Sequence, residues 1–450
     1  MSNSHYIAFI ILRKYFSCPG KIELKTLAGQ YFQSNQVPVS ERGFIRDLVY
    51  GVVRRQLTLD WLLKQFSRRK IEKISFPLVI LLRLGIYQLI FLSESIPDYA
   101  AVNETAELAK KAAHRGTTSF VNGILRSLIR NKDKIVWPET PVEYLSVRYS
   151  YPAWLIKRWL LRYGPAQTEK IAQENNISPQ LVIRTNTLKI SREELIQRLI
   201  KENLSVEKTI YSAEGIRFNL PANLTELESF KRGLFLIQAE SSQLVAHLLQ
   251  PHPGELVLDA CAGPGGKTTH LSQLMGNSGK IVAVDSSEKR LKKIADNVKR
   301  LGIKNVDLVP GDICRLAGKM TDKFDKILVD APCSSLGIIR RAADVRWNKT
   351  EADLARFSQI QQTIISSVVS LLKPGGRLVY SVCTNEPEET VEVTEKFSTA
   401  NPSWSKKNAA QILPASCCPL INDSGELEIY PQQTGLDGFF GAVFLKPIVA

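Results

Sequence analysis

The stretch LDACAGPGGKT, residues 258–268, decides the fold of the second half of this 450-residue chain. An apolar segment typical of a buried strand runs into a glycine-rich turn, and a segment with helical spacing follows. A Walker-type phosphate loop would need glycine at Cys261, and a dinucleotide-binding turn would need glycine at Thr268. The stretch is therefore a glycine turn that lets a ligand touch the backbone, or a tight turn with a purely structural role.

Strands and helices alternate from about residue 250 onward, which predicts a Rossmann-like α/β domain with a parallel sheet and helices on both faces. The predicted strands are 256–258, 281–284, 306–309, 327–329, 378–380 and 442–445. The predicted helices are 268–275, 288–301, 350–372 and 388–399. The carboxyl ends of the strands form one edge of such a sheet, and reacting groups gather at that edge.

Three aspartates, Asp285, Asp312 and Asp330, follow successive predicted strands. Asp285 lies about twenty residues past the glycines, where a carboxylate can accept both ribose hydroxyls, and Asp312 can meet an adenine edge. A single aspartate at a strand end is more often a helix cap or a turn former. Three of them beside one glycine turn are hard to assign to capping alone. A ribose and an adenine without a Walker loop fit S-adenosylmethionine as the cofactor.

Two cysteines also follow predicted strands, Cys333 after 327–329 and Cys383 after 378–380. Carbon 5 of a cytosine is a poor nucleophile, but a thiolate that adds to carbon 6 moves electron density to carbon 5. Carbon 5 can then attack a sulfonium methyl, and a base must remove its proton before the thiolate leaves. The two thiols and Asp330 supply this chemistry. The residues alone leave open which thiol attacks and which assists.

The remaining cysteines have a simpler interpretation. Free cysteines are usually buried small hydrophobic residues, and Cys261 is expected to pack under the glycine turn. The others with this structural role are Cys18, Cys314, Cys417 and Cys418. Because the seven cysteines include no CxxC pair, the sequence predicts a reduced, cytoplasmic protein without a metal site.

The first 135 residues predict an all-helical bundle with short connections. The predicted helices are 40–55, 57–66, 78–92, 100–113 and 119–130, with Asp98 as the cap of the fourth. Residues 1–140 hold 21 lysines and arginines against 11 aspartates and glutamates, in a chain with net charge +15. This uneven charge indicates a polyanionic partner, although a soluble surface rich in lysine would look similar.

Neither a secretion signal nor a membrane span is expected. The apolar run 6–12 is followed by Arg13 and Lys14, the reverse of the order in a signal peptide. The longest apolar stretch, 78–92, contains Arg83 and is too short to cross a bilayer.

Five motifs in this order resemble the Sun (Fmu) family of RNA cytosine-5 methyltransferases. They are QAESSQL (238–244), LDACAGPGGKT (258–268), DAPCSSLG (330–337), KPGG through YSVC (373–383) and DGFF (437–440). The chain departs from the usual family pattern at Ala239, Val382 and Thr390.

The resemblance implies methyl transfer from S-adenosylmethionine and a role for each matched residue. Cys383 would be the nucleophile, and Cys333 would assist proton removal and product release. Asp285 would bind the ribose, Asp312 the adenine, and Asp330 would lie near the reacting centre. The methionine part of the cofactor would be cradled by Cys261, Ala262, Gly263, Pro264, Gly265, Gly266 and Lys267.

The first part of the chain resembles the NusB family of helical RNA-binding domains through RLGIYQ (83–88), IPDYAAVNE (96–104) and FVNGILR (120–126). Three domains are therefore expected: a NusB-like domain at 1–138, a linker with a small α+β RNA-recognition-like module at 142–240, and the methyltransferase domain at 241–450. This layout is similar to that of bacterial enzymes that act on 16S ribosomal RNA. The expected partner is that RNA or a small-subunit assembly intermediate, and the expected state is a monomer.

Two other functions fit parts of the sequence. A ribosome-assembly or antitermination factor could bind RNA through the helical part and keep a vestigial cofactor fold, although the two cysteines and three aspartates argue against it. A methyltransferase acting on an exocyclic amine would have an aromatic residue at the position of Cys333.

Overall fold

The computed structural model describes residues 3–18, 20, 22–112, 115–219 and 223–448. These residues form two compact units. The first unit contains Met1–Ile177 together with Ile339–Thr350, and the second contains Ser178–Ile338 and Glu351–Ala450. The domain boundaries expected near 138 and 241 stay a prediction.

The described residues of the first unit form helices without strands, and the sequence predicts this for the first 135 residues. Its helices are α1 (Asn3–Ser17), α2 (Leu24–Ser34), α3 (Val39–Arg54), α4 (Gln56–Phe66), α5 (Phe76–Phe91), α6 (Asp98–Ala112), α7 (Arg115–Arg130), α8 (Pro141–Tyr149) and α9 (Ala153–Glu174). Helix α5 is apolar on nearly every side and is largely buried in the core of this unit. Within the described part of the chain, no helix is both long and apolar enough to cross a bilayer.

The start of α6 differs from the prediction. Asp98 lies inside the first turn of α6 instead of capping it, and its carboxylate pairs with the Lys132 ammonium at 3.1 Å. The predicted end of that helix, Ala113, lies outside the described residues. Helix α9 has a break at Gly164, where φ is +72° and a proline follows.

A short segment from the second half of the sequence packs into the first unit. The backbone N–H of Leu24 donates to Asp344 Oδ2 at 2.9 Å, and the Trp347 indole donates to the Val53 carbonyl at 2.8 Å. The chain thus leaves the second unit after Ile338 and rejoins it at Glu351.

The second unit begins with a small antiparallel sheet of strand order β2-β3-β1-β4. Its elements are β1 (Leu181–Thr185), α10 (Arg192–Lys201), β2 (Val206–Lys208), β3 (Gly215–Phe218), α11 (Glu228–Lys231) and β4 (Phe235–Ile237). Arg184 at the end of β1 is completely buried and donates hydrogen bonds to Gln273 Oε1 at 2.9 Å and Thr269 Oγ1 at 3.0 Å. The small module is thereby joined to the larger sheet domain.

The larger sheet has the order β10-β12-β9-β8-β5-β6-β7, and β11 pairs with β12. Its strands are β5 (Leu256–Asp259), β6 (Lys280–Asp285), β7 (Val306–Pro310), β8 (Phe324–Asp330), β9 (Leu372–Val382), β10 (Ser405–Lys407), β11 (Leu427–Ile429) and β12 (Phe439–Leu445). Its helices are α12 (Glu240–Leu249), α13 (Gly266–Leu274), α14 (Glu288–Leu301), α15 (Ile313–Leu316), α16 (Glu351–Val368), α17 (Val391–Ala400) and α18 (Pro431–Thr434).

The sheet is mixed, which corrects the prediction of a parallel one. Strands β5 to β9 are parallel, whereas β12 runs antiparallel to β9, and β10 and β11 run antiparallel to β12. A short apolar run does not reveal strand direction, so the sequence does not distinguish the antiparallel strand 442–445 from its parallel neighbours. The chain proceeds from β5 toward β7 on one side and from β8 toward β9 on the other. The crevice between β5 and β8 is therefore where a ligand is expected in this fold.

Candidate active site

A cleft of about 530 Å³ opens at the carboxyl ends of the central strands. It brings together eight of the residues predicted for the site: Cys261, Gly263, Pro264, Asp285, Asp312, Asp330, Cys333 and Cys383. Four other predicted residues, Ala262, Gly265, Gly266 and Lys267, are not in its lining. All of the lining residues belong to the second unit.

The glycine turn fits closely between β5 and α14. Gly265 has φ +86°, and a Cβ at this position would lie 3.0 Å from two carbons of Ile294. Gly266, the first residue of α13, has more room, because the nearest atom to its Cβ would be in Gln238 at 3.7 Å. The requirement for glycine at 265 is therefore both conformational and steric.

Asp285 at the end of β6 connects the glycine turn to the next loop. Its Oδ2 accepts the backbone N–H of Gly263 at 2.9 Å, and its Oδ1 accepts that of Ser287 at 2.8 Å. The carboxylate is almost completely buried, and the Arg290 guanidinium lies 3.5 Å away. Asp285 is thus held rigidly at the wall of the cleft.

Asp312 has two roles. Its Oδ1 accepts the N–H of Cys314 at 3.0 Å and caps α15, as expected for an aspartate after a strand. Half of its side chain is exposed, at the rim of the cleft. The same carboxylate can therefore cap the helix and contact a ligand.

Asp330 is held from both sides. The Lys267 ammonium donates to its Oδ2 at 2.7 Å, and the Ser381 hydroxyl donates to its Oδ1 at 2.8 Å. Ser381 lies opposite Asp330 in the parallel pairing of β8 and β9. The contribution of Lys267 to the cleft is thus indirect, through Asp330. The register between β8 and β9 could have identified Ser381, but strand register cannot be read from the sequence.

The two predicted thiols meet at the floor of the cleft. Cys333 Sγ and Cys383 Sγ are 3.3 Å apart, and Ser335 Oγ lies 3.6 Å from the Cys383 sulfur. The hydrogen bond from Cys333 lowers the pKa of Cys383. The same hydrogen bond, together with burial, raises the pKa of Cys333 well above the ordinary range of a thiol. The pair therefore favours a thiolate at Cys383 and a thiol at Cys333.

Buried polar groups behind the thiols fix the two loops. The backbone N–H of Ser334 donates to Glu389 Oε2 at 2.8 Å, and Gln361 donates to the same oxygen at 3.0 Å. The Tyr380 hydroxyl donates to the Glu389 carbonyl at 2.6 Å. Glu389 is fully buried, and burial raises its pKa. Sequence reasoning missed this carboxylate, because nothing in its neighbourhood distinguishes a buried glutamate from an exposed one.

Ser335 and the DGFF motif complete the site. Ser335 adopts φ +62°, a left-handed conformation that is uncommon for a residue with a side chain. The backbone of Gly438 contacts that of Gly337, whose N–H donates to the Cys383 carbonyl at 3.0 Å. The glycine of DGFF thus permits the close packing beneath the thiols.

Three family models match consecutive parts of the chain. The model of the 16S rRNA methyltransferase RsmB/F matches residues 246–445, and that of the NusB family matches 3–130. The model of the RsmF/B-like ferredoxin-like domain matches 151–225.

Solved structures share the fold. The protein PH0851 superposes with a TM-score of 0.79 at 26% identity and covers 99% of each chain. A methyltransferase homolog protein from Pyrococcus horikoshii gives a TM-score of 0.59 at 31% identity, over 69% of this chain and all of the other.

Curated relatives extend over nearly the whole sequence. A probable ribosomal RNA small subunit methyltransferase B from Bacillus subtilis is 39% identical over 91% of each chain. One from Synechocystis is 35% identical over 99% of this chain and 100% of the relative. Identity at this level over whole chains, with the three domain models in the same order, means that the chain belongs to the RsmB/F family of 16S rRNA methyltransferases.

Proposed function

We propose that this protein transfers a methyl group from S-adenosylmethionine to carbon 5 of a cytosine in 16S ribosomal RNA, through a temporary bond between Cys383 and the base. The observation that carries the proposal is the pair of sulfurs 3.3 Å apart in the same cleft as the glycine turn and its aspartates. Methylation of an exocyclic amine needs no thiol, whereas methylation of carbon 5 needs a nucleophile and a base.

The walls of the cleft suit S-adenosylmethionine, which when bound supplies a methyl group on a positively charged sulfur. Asp285 would accept the ribose hydroxyls, and Asp312 would meet the adenine edge. The turn from Cys261 to Pro264 would contact the methionine part. Ala262, Gly265 and Gly266 would shape that turn, and Lys267 would act by holding Asp330.

The two thiols would have different roles in the reaction, as their opposite pKa shifts favour. The Cys383 thiolate would attack carbon 6, and Asp330 would face the nitrogen edge of the ring. Cys333 would release its own proton to solvent water and, after carbon 5 has taken the methyl group, accept the carbon 5 proton as a thiolate, so that the reaction releases one proton overall. The sulfur–carbon bond would then break and release the product. Attack from above the ring requires a cytosine that is single-stranded or flipped out of its helix.

The basic helical unit would contribute affinity for RNA. Phosphate contacts by lysine and arginine weaken with added salt and carry little base preference. We therefore expect 16S ribosomal RNA or an assembly intermediate as the partner. We also expect the protein to act as a monomer in the cytoplasm.

The direct test is methylation of 16S ribosomal RNA from cells that lack this protein. Incubation with the protein and S-adenosylmethionine should produce 5-methylcytidine, identified by mass spectrometry of the digested RNA. N4-methylcytidine would instead identify an exocyclic-amine enzyme. Failure to bind S-adenosylmethionine in isothermal titration calorimetry would favour a non-catalytic RNA-binding factor.

Substitution of one glycine should weaken cofactor binding while its neighbour tolerates the same change. Gly265→Ala places a Cβ at positive φ against Ile294, which costs about 1–2 kcal/mol. We expect the dissociation constant for S-adenosylmethionine to rise about ten-fold or more. Gly266→Ala, whose new Cβ would have the Gln238 side chain at 3.7 Å as its nearest contact outside its own helix, should bind normally. Equal effects of the two substitutions in calorimetry would contradict the steric explanation.

The hydrogen bond between the thiols predicts a pH effect. Because it lowers the pKa of Cys383, alkylation of Cys383 by iodoacetamide should begin at a lower pH than for an ordinary thiol, whose pKa is about 8.5. In Cys333→Ala the midpoint of the rate against pH should move upward, since the thiolate loses its donor. Peptide mass spectrometry measures the rate at Cys383. The matched control Cys314→Ala should leave the midpoint unchanged, and an unchanged midpoint in Cys333→Ala would exclude this coupling.

A further inference from the structure

A second group of reactive side chains lies outside the lining of the cleft. It consists of Glu214 directly before β3, His247 in the last turn of α12, and His270 on α13. The cluster therefore joins the small module to two helices of the larger sheet domain. Its members are far apart in the sequence and follow no recognised ligand spacing, so sequence reasoning could not identify them.

The donor atoms converge. Glu214 Oε2 lies 2.9 Å from His247 Nε2 and 3.7 Å from His270 Nε2. One donor atom of each residue lies within 4.8 Å of the other two. Zinc sites have metal–ligand distances of about 2.0–2.2 Å, so neighbouring ligand atoms are typically separated by a little over 3 Å. Small side-chain rotations would bring the three atoms onto one ion.

The second observation is the state of His270. Its side chain is completely buried, and within the described part of the chain neither ring nitrogen has a hydrogen-bond partner. A buried polar group without a partner costs free energy, and native proteins contain few of them. An ion bound to Nε2 would supply the missing partner of that nitrogen.

We propose that Glu214, His247 and His270 bind one divalent transition-metal ion, with zinc as the best match. Two imidazole nitrogens and one carboxylate suit zinc and its neighbours in the first transition row, whereas magnesium and calcium prefer oxygen ligands. A water molecule would take the fourth position. His247 is about a quarter exposed and gives the ion access from solvent.

The surrounding charges set the strength of the site. Arg184 is a buried cation that opposes a second positive charge, but its guanidinium is engaged by Gln238, Gln273, Thr269 and the Gly266 carbonyl. Glu240 adds a second negative charge near this loop. Its Oε1 accepts the N–H of Ser212, which lies in the loop that carries Glu214. With the Arg184 cation counted, Glu214 and Glu240 leave one net negative charge around the site, which offsets part of the charge of a divalent ion. The ion would have a structural role, fixing α13 relative to the small module.

The test uses the full chain after removal of metals with a chelator. Because the thiols of Cys333 and Cys383 could also bind zinc, the background is the double variant Cys333→Ala/Cys383→Ala. We expect one equivalent of Co²⁺ to give the visible absorption of a four-coordinate ion without thiolate ligands, and Zn²⁺ to displace it. Zinc should also raise the melting temperature by about 5 °C at saturating concentration.

Single substitutions identify the ligands. His247→Ala, His270→Ala and Glu214→Gln should each weaken binding by at least about ten-fold. His252→Ala removes an exposed histidine outside the cluster and should change nothing. Circular dichroism verifies that each variant folds. If His270→Ala unfolds, the result depends on His247→Ala, because His247 is the more exposed of the two histidines. Absence of stoichiometric binding, or binding that survives loss of His247 or Glu214, would overturn the proposal. Neither result bears on methylation, which depends on other residues.

Discussion

Cys383→Ala is expected to abolish methylation, lowering the rate by at least about 10⁴-fold, because an enzyme that has lost its nucleophile keeps only binding and orientation. Cys333 is 3.3 Å away, but the hydrogen bond that lowers the pKa of Cys383 raises that of Cys333, which makes Cys333 the weaker nucleophile of the two. Transfer of a labelled methyl group from S-adenosylmethionine to 16S ribosomal RNA measures the loss.

The partner substitution should separate the two steps of the reaction. Cys333→Ala keeps the attacking sulfur but removes the group that assists proton removal, so RNA should stay attached to the protein and appear as a slower band on a denaturing gel. Cys383→Ala should give neither the adduct nor the product. Cys418→Ala, which changes an exposed cysteine outside the cleft, should still methylate the RNA and release it. An adduct in Cys383→Ala but not in Cys333→Ala would show that the roles are reversed.

The sequence predicted which side chains meet in one cleft where they follow the end of a strand. Asp285, Asp330, Cys333 and Cys383 each follow an apolar run, and the parallel arrangement of β5 to β9 brings all four to one cleft. The apolar runs locate the strands because a strand buried on both faces needs nearly continuous hydrophobic residues. The position of these residues at strand ends was therefore enough to predict that they lie together.

The rest of the site depends on contacts that have no local signal. Lys267 belongs to the glycine motif, yet its ammonium pairs with Asp330 instead of lining the cleft. Glu389 is buried beneath the thiols although its sequence neighbourhood, PEET, looks like a polar loop. Burial of a charged residue is decided by partners that are distant in the chain, here Ser334 and Gln361. Such pairings become visible only when the fold is known.

Two of the three departures from the usual family pattern, Val382 and Thr390, fit their local structure. Val382 is completely buried in β9 and pairs through its backbone with Phe440, so a valine satisfies the strand there. Thr390 donates from its hydroxyl to the Glu386 carbonyl at 2.9 Å and stabilises the turn before α17. Neither residue is in the lining of the cleft.

The largest expected effect on stability comes from Arg346, in the segment that returns to the first unit. Its side chain is completely buried, and its guanidinium donates to the Ser150 carbonyl and to Asn176 Oδ1, both at 3.0 Å, and lies 4.1 Å from the centre of the Tyr151 ring. Burial lowers the pKa of Arg346 to about 10, which reflects the cost of desolvating the cation. Arg346→Ala leaves these acceptors buried without a donor and opens a cavity, so we expect a loss of about 3–5 kcal/mol.

Hydrogen–deuterium exchange of the full chain should show where this stability is lost. Peptides covering α8 and α9 should exchange at least about 100-fold faster in Arg346→Ala, as expected for a loss of about 3 kcal/mol in local opening. Arg356→Ala, at an exposed arginine on α16, should change exchange little. Because the lining of the cofactor cleft belongs to the second unit, S-adenosylmethionine binding should persist in Arg346→Ala. Exchange that accelerates equally in peptides of both units would mean that Arg346 stabilises the whole chain and not the first unit alone.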